Sequence, residues 1–502
     1  MGEIIHGFLN ALMPMNLVAA LLSVAVGIVI GSLPGLSAAM GVALLIPLTF
    51  GMSTETGLIT LAGVYCGAVF GGSISAILIH TPGTSSAAAT ALDGYQLTLK
   101  GKPKKALNTA VISSFGGAMV SSVALYMFAP PLARLALKFG PAENFWLSIF
   151  GLTIIAGVSS KSVVKGLLSG AFGLSLSTIG MDPMSGVPRF TMDSVYLLDG
   201  LPFTATLIGL FSMSQVFILS EKVLTRIKNK VVEEGYNDGI SFKEFKSIMP
   251  TILRSGVIGS VTGILPGAGG TIAAFIGYDW AKKFSKNKEE FGKGCIEGVA
   301  GPEAANNAVT GGSLIPTLTL GIPGNSVTAV LMGGLIIKGL QPGPDLFTIH
   351  GKITYTFFAG FIVVNVFMLL LGLFASKYFA KVSKVPNNCL IPIIFSLSVI
   401  GSYAIKNSMF DVWVMFAFGI IGYFVKKFGL NAAAVVLALI IGPIGEEGLR
   451  RVVLMYPERV VSHLFSSPIS MTLVLMSLLS LISPLIISMV SSMKESRKSR
   501  IA

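Results

Sequence analysis

Four Pro-Gly pairs interrupt otherwise apolar sequence: Pro34-Gly35, Pro82-Gly83, Pro266-Gly267 and Pro323-Gly324. Proline lacks an amide donor and glycine admits unusual dihedrals, so helices stop at such pairs. Thr84, Ser85 and Ser86 follow the second pair, and Asn325 and Ser326 follow the fourth, all residue types that begin helices. A helix start presents unbonded amides and a partial positive charge of about half a unit, which suits a carboxylate. Any one Pro-Gly is most simply a kink. Four at matched positions predict a site in which two opposed helix starts clamp a multivalent organic anion.

The segment Gly298 to Ser313, GVAGPEAANNAVTGGS, is the most polar stretch within the apolar sequence. Its small residues allow close helix approach, whereas Glu303, Asn306, Asn307, Thr310 and Ser313 are costly in a bilayer unless they meet partners, ions or water. Amide carbonyls, hydroxyls and freed backbone oxygens suit Na⁺, and Glu303 could instead carry a proton. Asparagines also tie helices together by hydrogen bonds, and both readings stand for each of these residues. Asp93 and Asp279, near the ends of motif helices, are expected as caps or interface residues. His80 beside Thr81-Pro82 could titrate near neutral pH, although a neutral hydrogen-bonded role is the simpler one. His6, His350 and His463 are too scattered for a metal site, and Cys66, Cys295 and Cys389 too few for a disulfide framework. No cofactor is expected beyond Na⁺ or H⁺ as a coupling ion.

The elements that must hold these residues are membrane helices. The chain has 53% hydrophobic and 12% charged residues, against about 25% charged in a soluble domain. Apolar runs long enough to cross a bilayer recur at Phe8 to Gly31, Thr56 to Ile79, Ala106 to Ala129, Phe145 to Ser159, Val195 to Leu219, Ile353 to Ala375, Met409 to Val425 and Ile469 to Val490. With the broken segments between them, about 10–13 spans are expected. The fold class is an all-α polytopic membrane protein with re-entrant helices. Net charge is +13, but the basic residues gather in short loops between apolar runs, which is a footprint of topology and not of nucleic acid. The start MGEIIHGF has no basic region, so the first run is read as a span and not a removable signal.

An internal repeat organises the chain. Pro34 of GSLPGL recurs 232 residues later as Pro266 of GILPGA, Gly72 of GGS 240 later as Gly312, and Pro82 of TPGTS 241 later as Pro323 of IPGNS. The basic loop Lys282 to Lys293 corresponds to Thr49 to Gly57, which has no Lys or Arg. Lys100 to Lys105, with four lysines, corresponds to Lys338 to Leu346, with one. By the positive-inside rule, equivalent loops lie on opposite membrane faces, so the halves read as inverted-topology repeats, an architecture of secondary transporters. The expected organisation is 1–220 as N-terminal repeat and flanking spans, 221–250 as cytoplasmic basic linker, 251–356 as second repeat core, and 357–502 as C-terminal scaffold helices. The basic tail Lys494 to Arg500 is expected to place the C-terminus in the cytoplasm, and the start, without Lys or Arg, the N-terminus outside. A channel would need a filter that this pseudo-twofold sequence lacks, and an enzyme would need a converging nucleophile, acid and base, which is not visible.

The blocks Gly31 to Gly51, Gly71 to Tyr95, Gly263 to Tyr278 and Phe291 to Phe347 together resemble the large membrane subunit of the tripartite tricarboxylate transporters, the TctA type. The resemblance covers most of the chain. It implies a permease of the bacterial inner membrane that works with a small membrane subunit of about four spans and a periplasmic solute-binding protein. It also implies import of citrate-like tri- or dicarboxylates driven by a Na⁺ or H⁺ gradient, without ATP. The absence of a Walker-type GxxxxGK[ST] agrees. The family pattern more often has Asn where this chain has His80. A stand-alone cation-coupled symporter, without a binding protein, would use the same physics.

Overall fold

The computed structural model describes residues 2–33, 35–158, 163–182, 184–222, 239–265, 267, 269–382 and 387–481. Helices dominate them. In chain order they are α1 (Gly2–Ala11), α2 (Pro14–Ser32), α3 (Ala38–Thr49), α4 (Thr54–Ile79), α5 (Ala87–Leu99), α6 (Pro103–Ala136), α7 (Pro141–Val158), α8 (Val163–Ser177), α9 (Phe203–Ile208) and α10 (Ser214–Lys222). There follow α11 (Phe242–Ile264), α12 (Gly269–Phe284), α13 (Ile296–Leu320), α14 (Ser326–Ile337), α15 (Asp345–Thr348), α16 (Gly351–Val382), α17 (Asn387–Lys406), α18 (Met409–Lys427), α19 (Ala432–Met455) and α20 (Val460–Leu464). Eight helical stretches of the described residues are long and apolar enough to cross a membrane, and Ala38–Thr49, Ser326–Ile337 and Pro468–Leu481 are shorter apolar helices. The chain is a multi-pass all-α membrane protein.

Local chemistry sets the boundaries. The run Phe8 to Gly31, expected as one span, is two helices, because Pro14 at the first position of α2 cannot continue α1. Val195 to Leu219 is likewise not one span: a 3₁₀ turn at Val195–Leu197 precedes the helix that begins at Phe203. Ser37, Ser53, Asn325 and Asn431 cap α3, α4, α14 and α19. Ser241 and Glu244 form a capping box that starts α11 inside the segment expected as linker; 223–238 of that segment lie outside the described residues, as does the tail Lys494 to Arg500.

The structure forms two compact units. One is Met1–Arg134 with Phe203–Tyr423, and the other is Leu135–Pro202 with the chain from Phe424 onward. The first holds both repeat blocks. Its centre is α4 and α13, each buried on all sides. Within it α2 packs on α4 and α11 on α13, the same arrangement twice. Both contacts are backbone to backbone: a Cβ added at Gly27 would lie 2.6 Å from the Val64 carbonyl, and one at Gly263 2.9 Å from the Ser313 amide. In the second unit α19 packs between α7 and α8. A two-stranded hairpin, Gly180–Met181 with Pro188–Arg189, is tied to α19 by Arg189–Glu446 at 2.5 Å and Arg450–Asp182 at 2.6 Å.

The loop contacts of the first unit agree with inversion of the repeats. Lys338 Nζ, at the end of α14, donates to the carbonyls of Phe50 and Met52 between α3 and α4. The other pair of loops meets separately: Lys102 after α5 and Lys286 and Asn287 after α12 line one cavity of about 600 Å³. Each loop therefore sits beside the non-equivalent loop of the other repeat, as a two-fold axis in the membrane plane requires.

Candidate functional site

Each repeat contains a helix that stops, folds back and restarts. The chain leaves α4 at Ile79, where His80 closes the helix in the left-handed region (φ 53°), a conformation that favours Asn or Gly. The His80 ring stacks on Tyr95 at 4.6 Å between centroids. Gly83 then returns to the level of Gly72, its amide donating to the Gly72 carbonyl at 3.1 Å. A Cβ at Gly83 would run into the Gly31 carbonyl at the end of α2. In the second repeat Gly321 (φ 67°) closes α13, Gly324 lies against Ser313 and Gly263, and the Gly267 amide donates to the Gly324 carbonyl at 2.8 Å. The two breaks of each repeat thus adjoin. Pro34 and Pro266 lie outside the described residues; Pro82 is half-buried and Pro323 buried. Gly35 faces elsewhere, with its carbonyl accepting from Gln215 Nε2 at 2.6 Å.

The two restarting helices differ at their first turns. Asn325 closes the start of α14: its Oδ1 accepts from the Val327 and Thr328 amides at 2.9 and 3.0 Å. Its Nδ2 donates to Tyr65 of α4 at 2.7 Å and to Ser313 at 3.1 Å. The start of α5 is open. Ser86 occupies the cap position in the right-handed helical region and makes no capping bond. Among the described residues the amides of Thr84, Ser85 and Ser86 meet no protein acceptor. The hydroxyls of Thr84 and Ser86 lie 3.2 Å apart, and Ser85, exposed, pairs with Thr271 of α12 at 2.9 Å. Amides left free at a helix start are groups of the kind that suit an anion. Ser326, by contrast, is half-buried within the capped turn.

The polar residues of α13 run from one break to the other. Glu303 is fully buried and accepts from the hydroxyls of Ser73 (α4), Thr90 (α5, 2.5 Å) and Ser114 (α6, 2.9 Å). Asn307 Nδ2 donates to Ser114 at 2.8 Å and to the Glu303 carbonyl at 3.1 Å, leaving its buried Oδ1 without a partner. Asn306 is buried with Nδ2 unpartnered, and its Oδ1 would lie 2.5 Å from a Cβ at Gly270, beside Ser86. Unpartnered buried polar atoms are rare and call for an ion, a water or a moving partner. Thr310 and Ser313 donate back to the carbonyls of Asn307 and Thr310, and Ser313 also meets Tyr65 at 3.2 Å. Of the candidate site residues that are described, all but Gly35 gather along α13 and at the two restarts. Sequence reading missed Tyr65, Ser73, Thr90, Ser114 and Thr271. Ser73, Thr90 and Thr271 lie within the motif blocks Gly71 to Tyr95 and Gly263 to Tyr278; nothing local marks Tyr65 and Ser114.

Asp93 is the interface residue expected of it. Buried in α5, it accepts from the Tyr278 hydroxyl at 2.8 Å and from the amides of Gly292, Gly294 and Cys295 at 2.8–3.0 Å, tying the first repeat to the start of α13. Asp279 is exposed. Among the described residues no group of three or more His, Cys, Asp or Glu could hold a metal ion.

The family described as the tripartite tricarboxylate transporter TctA family matches residues 17–437. A protein of Agrobacterium vitis, described as an uncharacterized 52.8 kDa protein in the TAR-I ttuC' 3' region, is 39% identical over 445 residues, covering 89% of this chain and 88% of its own. A second from the same organism, described as an uncharacterized protein in the TAR-II ttuC' 3' region, is 42% identical over 193 residues, covering 38% of this chain and 80% of its own. No solved structure matches the chain.

Proposed function

This chain belongs to the tripartite tricarboxylate transporter TctA family, and from that premise we propose that it is the permease subunit of a binding-protein-dependent importer of tri- and dicarboxylates, driven by a Na⁺ or H⁺ gradient. As a member it is a membrane transporter component, of a family defined by transport and not by catalysis. The observation that carries the finer reading is the open start of α5, where the amides of Thr84, Ser85 and Ser86 meet no protein acceptor among the described residues. Such a start binds a carboxylate by hydrogen bonds and by the helix dipole.

A periplasmic binding protein delivers the carboxylate to the outer face, and a small four-span membrane subunit completes the assembly in the bacterial inner membrane. The substrate's charge is offset by the coupling cation near Asn307 and Asn306, whose amide oxygen lies close to Gly270 and Ser86. The paired helix breaks then move against the surrounding helices of the lipid bilayer to open the site inward.

The test is uptake of labelled citrate and a panel of other carboxylates into vesicles holding this chain with its small subunit. Uptake that requires both the binding protein and an imposed Na⁺ or H⁺ gradient supports the reading. Equal uptake without the binding protein identifies a stand-alone symporter. No uptake of any carboxylate contradicts carboxylate transport.

A further inference from the structure

Two buried carboxylates hold α5, and their surroundings differ in kind. Asp93 is surrounded by three backbone amides and a tyrosine hydroxyl. An amide can only donate, so this shell is complete around an anion and frustrated around an acid. Glu303 is surrounded by three aliphatic hydroxyls, of Ser73, Thr90 and Ser114. A hydroxyl donates or accepts as required. The same three groups satisfy an ionised Glu303 by donating, and a protonated one when a single hydroxyl turns to accept.

The hydrogen bonds around Glu303 fit a proton site. The groups that reach the Glu303 carboxylate present hydrogens: the three hydroxyls, and the Asn307 amide nitrogen at 3.5 Å from Oε2. Among the described residues no Lys, Arg or His pairs with it. An ionised carboxylate buried without a cation is costly, and taking up a proton relieves that cost.

We propose that Glu303 carries the coupling proton, so that the gradient used is H⁺; this rests on the carboxylate-transport reading above. Thr90, which contacts Glu303, lies one helical turn into α5 from Ser86, at the proposed substrate start. A negative Glu303 repels a carboxylate at that start and weakens the dipole that would hold it. Protonation from the outside removes the repulsion, the anion binds, and after inward opening the proton and the anion leave together. By linkage each ligand favours the other equally, typically about 5–150-fold.

The other titratable groups on the packed elements are engaged or removed. Asp93 of α5 and Tyr278 of α12 are bonded to each other, Arg254 of α11 stacks on Phe284, and Lys105 of α6 pairs with Glu244. Tyr65 of α4 is at Ser313, about three turns along α13 from Glu303. His80 of α4 stacks on Tyr95, two turns beyond Ser73, and Glu297 and Cys295 lie at the start of α13.

The experiment uses the full chain with its small subunit in vesicles loaded with a pH-sensitive dye, the binding protein outside, and labelled citrate or another carboxylate of the panel as probe. The wild type is expected to accumulate the probe on a pH gradient without Na⁺, to acidify the lumen as it does so, and to lose apparent affinity by up to about tenfold per pH unit as the pH rises. Glu303→Gln is expected to lose uphill accumulation and to exchange labelled for unlabelled probe at a rate insensitive to pH. Should that variant fail to fold, the wild-type dye signal and Glu303→Asp decide. Accumulation that needs Na⁺ and leaves the lumen pH unchanged overturns the proposal, as does uphill accumulation by Glu303→Gln with the wild-type pH profile; either leaves carboxylate transport standing. No uptake of any carboxylate overturns both.

Discussion

The amide nitrogen of Asn325 donates to the Tyr65 hydroxyl at 2.7 Å, joining the restart of the second repeat to the long helix of the first. The same side chain caps α14 with its oxygen. Asn325→Ala is therefore expected to cost about 1 kcal/mol as a lost cap, and more through the lost bonds to the Tyr65 and Ser313 hydroxyls. Ser86→Ala, at the cap position of α5, removes no cap and should leave the stability within about 0.5 kcal/mol of wild type. Thermal unfolding of the two purified variants checks the asymmetry; equal destabilisation would contradict it.

Asp93 tests the tie between repeats. Asp93→Asn keeps the size but turns an NH₂ group toward amides of the 292–295 segment. Each buried donor left without an acceptor costs about 1–3 kcal/mol, so this variant should be among the least stable in the chain. Tyr278→Phe removes one donor and should cost about 1 kcal/mol. A melting temperature for Asp93→Asn equal to that of Tyr278→Phe would show that the backbone amides are not bound as described.

Asn306 and Asn307 each carry an unpartnered buried polar atom on α13, within four residues of Glu303. Asn306→Ala with Asn307→Ala is expected to abolish gradient-driven uptake. Uptake at the wild-type rate with unchanged Na⁺ or H⁺ dependence would remove these residues from the coupling site.

In the second unit, the hydrogen bond and charge of Arg450, aided by the Met184 amide and the Ser185 hydroxyl, hold the Asp182 carboxyl well below the usual carboxylate range. A depressed acid stabilises the folded state above its unfolded pKa of about 3.9, and that stabilisation fades as the pH falls below it. Asp182→Asn should melt below wild type at pH 7, with the gap narrowing below about pH 4. A gap independent of pH would mean that the hairpin is held by packing and not by this ion pair.

What the sequence could reveal follows from how local each cause is. The four Pro-Gly breaks and the repeat were legible because proline and glycine act on their own backbone. Pro14 acts the same way, but the apolar run around it obscured its break between α1 and α2. Glu303 and Asn307 stood out as costly residues, yet the hydroxyls that receive Glu303 come from three other helices and only the fold brings them together. The difference between Asn325 and Ser86 was invisible for another reason. Both are capping residue types, but a cap needs extended backbone, which Asn325 has (φ −157°, ψ 178°) and Ser86 lacks (φ −71°, ψ −28°). Which restart stays open to an anion is decided by two dihedral angles that no residue name reports.

The most direct measurement is protection of that open restart. Cys66 and Cys295 are buried and Cys389 is exposed, so Ser85→Cys in a Cys389→Ser background offers a single accessible thiol at the start of α5. Its rate of modification by a charged thiol reagent would be followed with and without a carboxylate that the vesicles take up. A carboxylate seated on the Thr84, Ser85 and Ser86 amides should slow the reaction at least about tenfold at saturation, by excluding the reagent and competing for the helix dipole. A rate unchanged at concentrations that saturate uptake would place the substrate elsewhere.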